Sequence, residues 1–174
     1  MGEKTVAIFG TSRAEPDTPV YIQAETIGRL LAQAGFTIAN GGYGGTMLAA
    51  AKGARQAGGK VIGVTCSAFE RSTANKYITE EIVTDSLDQR LAKLTELADA
   101  YVVLQGSTGT LLELARVWEL KNKGFISSKK PIILAGGFWQ RLVDLMLKDD
   151  PGSSRCIRIA QNPQEIRDIL VESI

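Results

Sequence analysis

The chain has 174 residues, 44% of them hydrophobic and 22% charged, and its 20 basic and 19 acidic side chains leave a formal net charge of +1. This composition is typical of a folded globular protein, and the balanced charge argues against general nucleic-acid binding. The chain has no histidine, which excludes Ser-His-Asp and Cys-His catalysis and removes the commonest zinc ligand. The length predicts a single domain, residues 1–174.

The two cysteines, Cys66 and Cys156, are far apart in the sequence and form no Cys-x-x-Cys motif. We expect both to be small buried residues in a reducing compartment. No apolar run approaches the ~18 residues of a membrane span, and the N-terminal residues do not resemble a signal peptide. These features predict a soluble, cytoplasmic protein with no membrane partner.

Short apolar runs alternate along the chain with longer segments of helical periodicity. The predicted strands are residues 5–9, 37–40, 60–65, 81–84, 100–104, 131–135 and 157–159, and the predicted helices are residues 20–34, 45–57, 87–98, 111–121, 138–147 and 163–172. Residues 148–155 are predicted to form a polar loop. This alternation predicts an α/β fold, a Rossmann-like, doubly wound and mostly parallel sheet with helices on both faces.

Turns rich in glycine and hydroxyl residues follow the first, second and fifth predicted strands, at residues 10–13, 41–46 and 106–110. The carboxyl ends of parallel strands lie along one edge of the sheet, so these turns can surround one ligand. Glycine lets backbone N–H groups approach an anion, and a helix N-terminus adds partial positive charge. We therefore predict a nucleotide or sugar-phosphate site; purely structural turns are the alternative.

Glu113 lies three residues after Thr110, a spacing that matches the capping-box pattern, as does the pair Ser86 and Gln89. The carboxylate of Glu113 could therefore turn back onto the Thr110 N–H. That structural interpretation and a functional one both remain open on this pattern.

Arg90 lies on a predicted helix whose apolar stripe is formed by Leu87, Leu91, Leu94 and Ala98. At about 100° per residue, Arg90 is displaced by roughly 60° from Leu87, at the edge of the buried face. An arginine there extends its head to solvent, pairs with an acid or points into a cleft.

Taken in order, these motifs resemble the Lonely Guy family of cytokinin-activating phosphoribohydrolases, a family often mislabelled lysine decarboxylase. The turn after the first strand matches the family's Gly-Ser-Ser, the turn after the second approximates Gly-Gly-Gly-x-x-Gly-Leu-Met, and residues 106–113 match Gly-x-x-Gly-Thr-x-x-Glu. Arg90 matches the family's key arginine. The departures are Gln105 for a proline, Ser107 for a glycine, Leu91 for a lysine and Leu112 for a common glutamate.

The resemblance implies hydrolysis of the N-glycosidic bond of a nucleoside 5′-monophosphate, with Arg90 and Glu113 as catalytic residues. The resemblance also implies a homodimer, and the implied reaction requires no metal or organic cofactor. The predicted substrate- and phosphate-binding residues are Gly10, Thr11, Ser12, Gly42, Gly44, Gly45, Thr46, Met47, Gly106, Ser107, Thr108, Gly109 and Thr110.

The alternative is a non-catalytic carrier of a nucleotide or of the molybdenum cofactor, since related branches of the family share the fold without the hydrolase chemistry. Lysine decarboxylation is rejected, because no constellation for pyridoxal phosphate is evident.

Overall fold

The computed structural model describes residues 3–69 and 73–174. The strands are β1 (Thr5–Phe9), β2 (Thr37–Asn40), β3 (Val61–Cys66), β4 (Glu80–Thr84), β5 (Ala100–Val103), β6 (Ile132–Ala135) and β7 (Ile157–Ala160). The α-helices are α1 (Pro19–Gln33), α2 (Thr46–Gln56), α3 (Leu87–Leu97), α4 (Thr108–Asn122), α5 (Gln140–Met146) and α6 (Pro163–Ser173), and a 3-10 helix spans Pro151–Cys156.

All the strands belong to one parallel sheet in the order β4-β3-β2-β1-β5-β6-β7. Side chains alternate between its faces, so that Val6 and Ile8 belong to one buried cluster while Ala7 and Phe9 belong to another. Helices α1, α2 and α6 cover the first cluster, and α3, α4 and α5 cover the second. The predicted Rossmann-like, doubly wound α/β fold is confirmed.

The direction of the strand order reverses at β1. From β1 the chain builds outward through β2, β3 and β4, then crosses back to place β5 on the other side of β1. In doubly wound sheets the crevice outside the carboxyl ends of the strands at such a reversal is the usual ligand site. The three predicted turns follow β1, β2 and β5, so all of them border this crevice.

Most predicted boundaries lie within two residues of the observed ones, and two regions differ by more. Helix α4 begins at Thr108, three residues earlier than predicted, with Ser107 as its N-cap. The predicted loop at residues 148–155 contains the 3-10 helix, which begins at Pro151 because proline suits the first helical position.

Cys66 and Cys156 are both free and buried, as predicted. Among the described residues, none of the helices combines the length and the apolar character needed to cross a bilayer.

Candidate active site

Thr11 joins the three turns through its backbone. Its N–H donates to the carbonyl of Gln105 at 3.1 Å, and its carbonyl accepts from the N–H and Oγ1 of Thr46 at 2.9 and 3.0 Å. The turns after β1, β2 and β5 are therefore one hydrogen-bonded unit.

A cavity of about 260 Å³ opens beside these turns. Nine of the residues predicted for the site line it: Gly10, Thr11, Ser12, Met47, Arg90, Ser107, Gly109, Thr110 and Glu113. The cavity thus brings together residues from the first and third turns, the start of α2, and helices α3 and α4.

The other predicted residues, all within the described ranges, are not part of this lining; they are Gly42, Gly44, Gly45, Thr46, Gly106 and Thr108. Several of them shape the turns. The N–H of Gly42 donates to Oδ1 of Asn40 at 2.8 Å, and Gly45 adopts φ 62°, a left-handed conformation that favours glycine. Their contact with a ligand stays a prediction.

The guanidinium of Arg90 is buried beneath the second turn. Only 6% of the residue is exposed, and Nε donates to the carbonyl of Val64 on β3 at 2.8 Å. Its Cζ lies 5.6 Å from the ring centroid of Tyr43 and 6.0 Å from that of Phe69. These distances suit cation–π attraction, which strengthens when the cation is desolvated. The helix periodicity placed Arg90 at the edge of the buried face, and the structure turns it inward.

Arg90 forms an ion pair with Glu113 across the cavity wall. Nη1 of Arg90 lies 3.6 Å from Oε1 of Glu113, and the two side chains are 7% and 11% exposed. Burial raises the pKa of Glu113 from 4.5 to about 7, although the positive charge of Arg90 opposes that shift. The carboxyl group can therefore exchange a proton near neutral pH.

The capping interpretation of Glu113 is wrong. Because α4 begins at Thr108, Thr110 lies within the first turn of the helix and does not serve as its N-cap. The other predicted capping box forms in part. Oγ of Ser86 accepts a hydrogen bond from the N–H of Gln89, as a capping box requires. The side chain of Gln89, however, accepts from the N–H of Asp85 and not from that of Ser86.

The N-terminus of α4 borders the cavity through Ser107, Gly109 and Thr110. Ser107 is its N-cap, yet its side chain makes no capping hydrogen bond. The first N–H groups of a helix have no partner within the helix. This end of α4 therefore offers donors and partial positive charge to an anion.

Three residues around Arg90 were not among the predicted site residues, although Gly41 and Tyr43 belong to the predicted turn at residues 41–46. Gly41, immediately after β2, packs against the guanidinium. Tyr43 and Phe69 line the cavity and place their rings 6.0 Å apart. Phe69 follows β3, and an aromatic residue just beyond a strand at the predicted ligand edge was the available signal.

A larger cavity, of about 410 Å³, lies between α4, α5 and the 3-10 helix, with a mainly apolar lining. It contains none of the predicted site residues and lacks the buried ion pair.

In the part of the chain that the structure describes, no cluster of three or more cysteine or carboxylate side chains could hold a metal ion.

The model of the SLOG cluster4 family matches residues 3–167. The chain belongs to the SLOG cluster4 family. It is 32% identical over 136 residues to a cytokinin riboside 5′-monophosphate phosphoribohydrolase of Mycobacterium tuberculosis, covering 76% of this chain and 71% of that protein. The resemblance to the Lonely Guy family is thereby confirmed.

This SLOG cluster4 chain is also similar in structure to solved proteins that bind or carry the molybdenum cofactor. One is a molybdenum cofactor binding protein from Rippkaea orientalis, with a TM-score of 0.80, 25% identity, and coverage of 99% of this chain and 98% of that one. The other is the molybdenum cofactor carrier protein of Chlamydomonas reinhardtii, with a TM-score of 0.76, 22% identity and 98% coverage of both chains. The second likeness shows the shared fold alone.

Proposed function

We propose that this chain hydrolyses the N-glycosidic bond of a nucleoside 5′-monophosphate. Water adds across the bond between the base and C1′ of the ribose, which releases the free base and ribose 5-phosphate. The observation that carries the proposal is the buried pair of Arg90 and Glu113 at the wall of a cavity bordered by a helix N-terminus. The similarity to a mycobacterial phosphoribohydrolase supports it.

Glu113 stabilises the reacting sugar and activates water. Cleavage leaves positive charge on the ribose ring, and a carboxylate beside it lowers the energy of that state, as in glycosidases. The same carboxylate accepts a proton from the attacking water, and this proton passes to the departing base, which keeps the electron pair of the broken bond. Its pKa of about 7 suits this exchange, since a general base works best when its pKa is near the working pH.

Arg90 positions Glu113 and supplies positive charge to the cavity. Its Nε is occupied by the Val64 carbonyl, which fixes the plane of the guanidinium and directs Nη1 toward Glu113. The remaining N–H groups can donate to the ribose hydroxyls or the phosphate, because guanidinium carries five donors in one plane.

The phosphate of the substrate binds at the N-terminus of α4. Ser107, Gly109 and Thr110 line the cavity there, and no side-chain cap occupies the first amides. A phosphate at this position gains hydrogen bonds and the favourable end of the helix dipole.

The decisive experiment incubates purified protein with AMP and a panel of other nucleoside monophosphates and measures ribose 5-phosphate and free base. EDTA is present throughout, because the proposal requires no metal. Release of both products, abolished in Glu113→Gln, supports the hydrolase. Stable binding of nucleotide with no product from any base contradicts it.

Carriage of a phosphate-bearing pterin cofactor is the second candidate. The observation that favours it is the similarity over nearly the whole chain to a molybdenum cofactor binding protein. The departures Leu91 and Leu112, in place of a lysine and a glutamate, fit binding without turnover. Native mass spectrometry of the purified protein distinguishes the two, since a carrier retains its ligand.

We also propose that the chain forms a homodimer through the surface around the cavity. Leu87 on α3 and Leu112 on α4 both line the cavity and are exposed. Exposed apolar side chains beside a site are typical of interfaces. Light scattering should give twice the monomer mass for the parent protein and a lower mass for Leu87→Glu.

A further inference from the structure

A polar cavity lies at the amino ends of the strands, on the opposite side of the sheet from the carboxyl ends that form the candidate active site. It has a volume of about 320 Å³ and is bordered by the starts of β6 and β7 and the ends of α4 and α6. Four cationic side chains line it, with one carboxylate: Lys121, Lys129, Arg155, Arg158 and Glu172. The whole chain has a net charge of only +1, so three net positive charges around one cavity are a marked local excess.

The charge of these cations is not balanced by acidic partners in the described part of the chain. Several basic side chains elsewhere are paired, as in Lys4 with Asp99 and Lys52 with Glu25. Among residues 3–69 and 73–174, none of the four cations at this cavity forms an ion pair with a carboxylate. Like charges that converge without counter-charges repel one another, and an anion placed between them removes that repulsion.

Most of their hydrogen-bonding capacity is also free. Nζ of Lys121 donates to the carbonyl of Lys130 at 2.7 Å, which holds the ammonium in place and leaves two further donors. Within the described ranges, the side chain of Arg158 forms a single long hydrogen bond, from Nη1 to Oγ of Ser173 at 3.4 Å. Burial lowers the pKa of Lys121; the nearby Cys156 opposes this shift, and the neighbouring charge of Arg158 adds to it. An anion bound beside Lys121 would favour the charged ammonium and so raise its pKa.

We propose that this cavity binds a diphosphate group, either as a free small ligand or as part of a nucleotide. A single phosphate carries about −1.5 to −2 charges at neutral pH, which leaves part of the positive excess unmatched. A second phosphoryl group supplies the missing charge. The two guanidinium groups can each contact phosphate oxygens in bidentate fashion. The site is separate from the candidate active site and does not depend on the proposed hydrolase activity.

The first test is a titration of ¹⁵N-labelled protein with inorganic pyrophosphate, followed by amide chemical shifts, with ADP as a second arm. Saturable shifts at Lys129, Arg158 and Ser173 are expected in both arms if a nucleotide-borne diphosphate is accepted, and with pyrophosphate alone if only the free ligand is. Shifts confined to residues 106–110, or no saturation with either probe, would overturn the proposal.

The second test compares two double variants that each remove two positive charges. Lys129→Gln with Arg158→Gln should weaken pyrophosphate binding at least ~10-fold. Arg141→Gln with Lys148→Gln, whose exposed side chains lie outside the cavity, should leave it unchanged. An equal loss in both pairs would mean that only the overall charge matters, and the site would be rejected.

Thermal melts of both double variants establish that they fold. Cleavage of AMP, if the parent shows it, should be unaltered in the Lys129 and Arg158 pair, so the two proposals fail independently. A single-stranded oligonucleotide that shifts these amides and displaces pyrophosphate at a lower concentration would identify the cavity as a nucleic-acid surface and refute the diphosphate assignment.

Discussion

The guanidinium of Arg90 occupies the space that a side chain at residue 41 would need. A Cβ built on Gly41 would lie 1.7 Å from Nη2 of Arg90 and 2.7 Å from Sδ of Met47. Nε of Arg90 is also bonded to the Val64 carbonyl, so displacement of the guanidinium would weaken that bond. Gly41 is therefore required by the buried arginine, independently of any backbone strain.

Gly41→Ala should displace the guanidinium from Glu113. We expect a loss of about 3 kcal/mol in the free energy of unfolding, the range for disrupting a buried ion pair. Gly44→Ala in the same turn is the matched control, because the nearest atom to its Cβ would be the Ser12 carbonyl at an ordinary 3.6 Å. Urea denaturation of both variants measures the difference, and equal stabilities would show that Arg90 adjusts freely.

Glu113→Gln should lower turnover of AMP by about 10²- to 10⁴-fold, because glutamine cannot accept the proton from water or offset the charge on the ribose. The affinity for AMP should change little. Glu119→Gln is the control, since Glu119 is an exposed residue of the same helix and pairs with Lys123 at 3.9 Å. Steady-state kinetics on both proteins make the comparison; a fully active Glu113→Gln enzyme would contradict the mechanism.

The pH dependence of stability should report the buried carboxyl group. The pKa of Glu113 is raised in the folded state, from 4.5 to about 7. The folded protein therefore binds this proton more tightly, and the resulting stabilisation is complete below pH 4.5 and lost as the pH rises through about 7. The expected loss is on the order of 3 kcal/mol. Denaturation midpoints of Glu113→Gln measured over the same range should lack this component of the decline.

Arg90→Lys should fold but bind AMP at least ~10-fold more weakly. A lysine ammonium cannot contact the Val64 carbonyl and Glu113 in the arrangement that the planar guanidinium provides. We expect the free energy of unfolding to fall by about 1–3 kcal/mol, since one buried partner is left unsatisfied. Arg116→Lys, on a residue that bonds to Thr95 Oγ1 at 3.2 Å outside the cavity, should bind AMP as the parent does. Calorimetric titration decides, and unchanged affinity in Arg90→Lys would assign Arg90 a structural role.

Much of the fold was predictable because its signals are local. All the observed strands were predicted. The five central strands gave the clearest signal, since a parallel sheet covered on both faces needs nearly continuous apolar residues, whereas the edge strands β4 and β7 include exposed charged residues. The 100° spacing of α3 placed Arg90 at the edge of the buried face. The start of α4 was predicted wrongly, because Ser107, Thr108 and Thr110 all suit an N-cap and the local pattern does not rank them.

The arrangement of the site needed information from outside each segment. Glu113 and Arg90 are 23 residues apart in the sequence, and only the resemblance to a known family suggested that they act together. The contacts that enclose the Arg90 guanidinium were not predicted, because they depend on how the folded chain packs. They are made by Gly41, Tyr43 and Phe69. The cations of the polar cavity come from residues 121–129 and 155–158, and no motif joins these two stretches.

The hydrogen bonds of Thr11 have a consequence for local opening of the molecule. The turn after β1 cannot separate from the turn after β2 without breaking the bonds to Thr46, or from the turn after β5 without breaking the bond to Gln105. The three turns should therefore open as one cooperative unit, and the amides of Thr11 and Thr46 should exchange hydrogen for deuterium with the same opening free energy. A ligand held at the start of α4 should then slow exchange at Thr46, a residue that does not line the cavity.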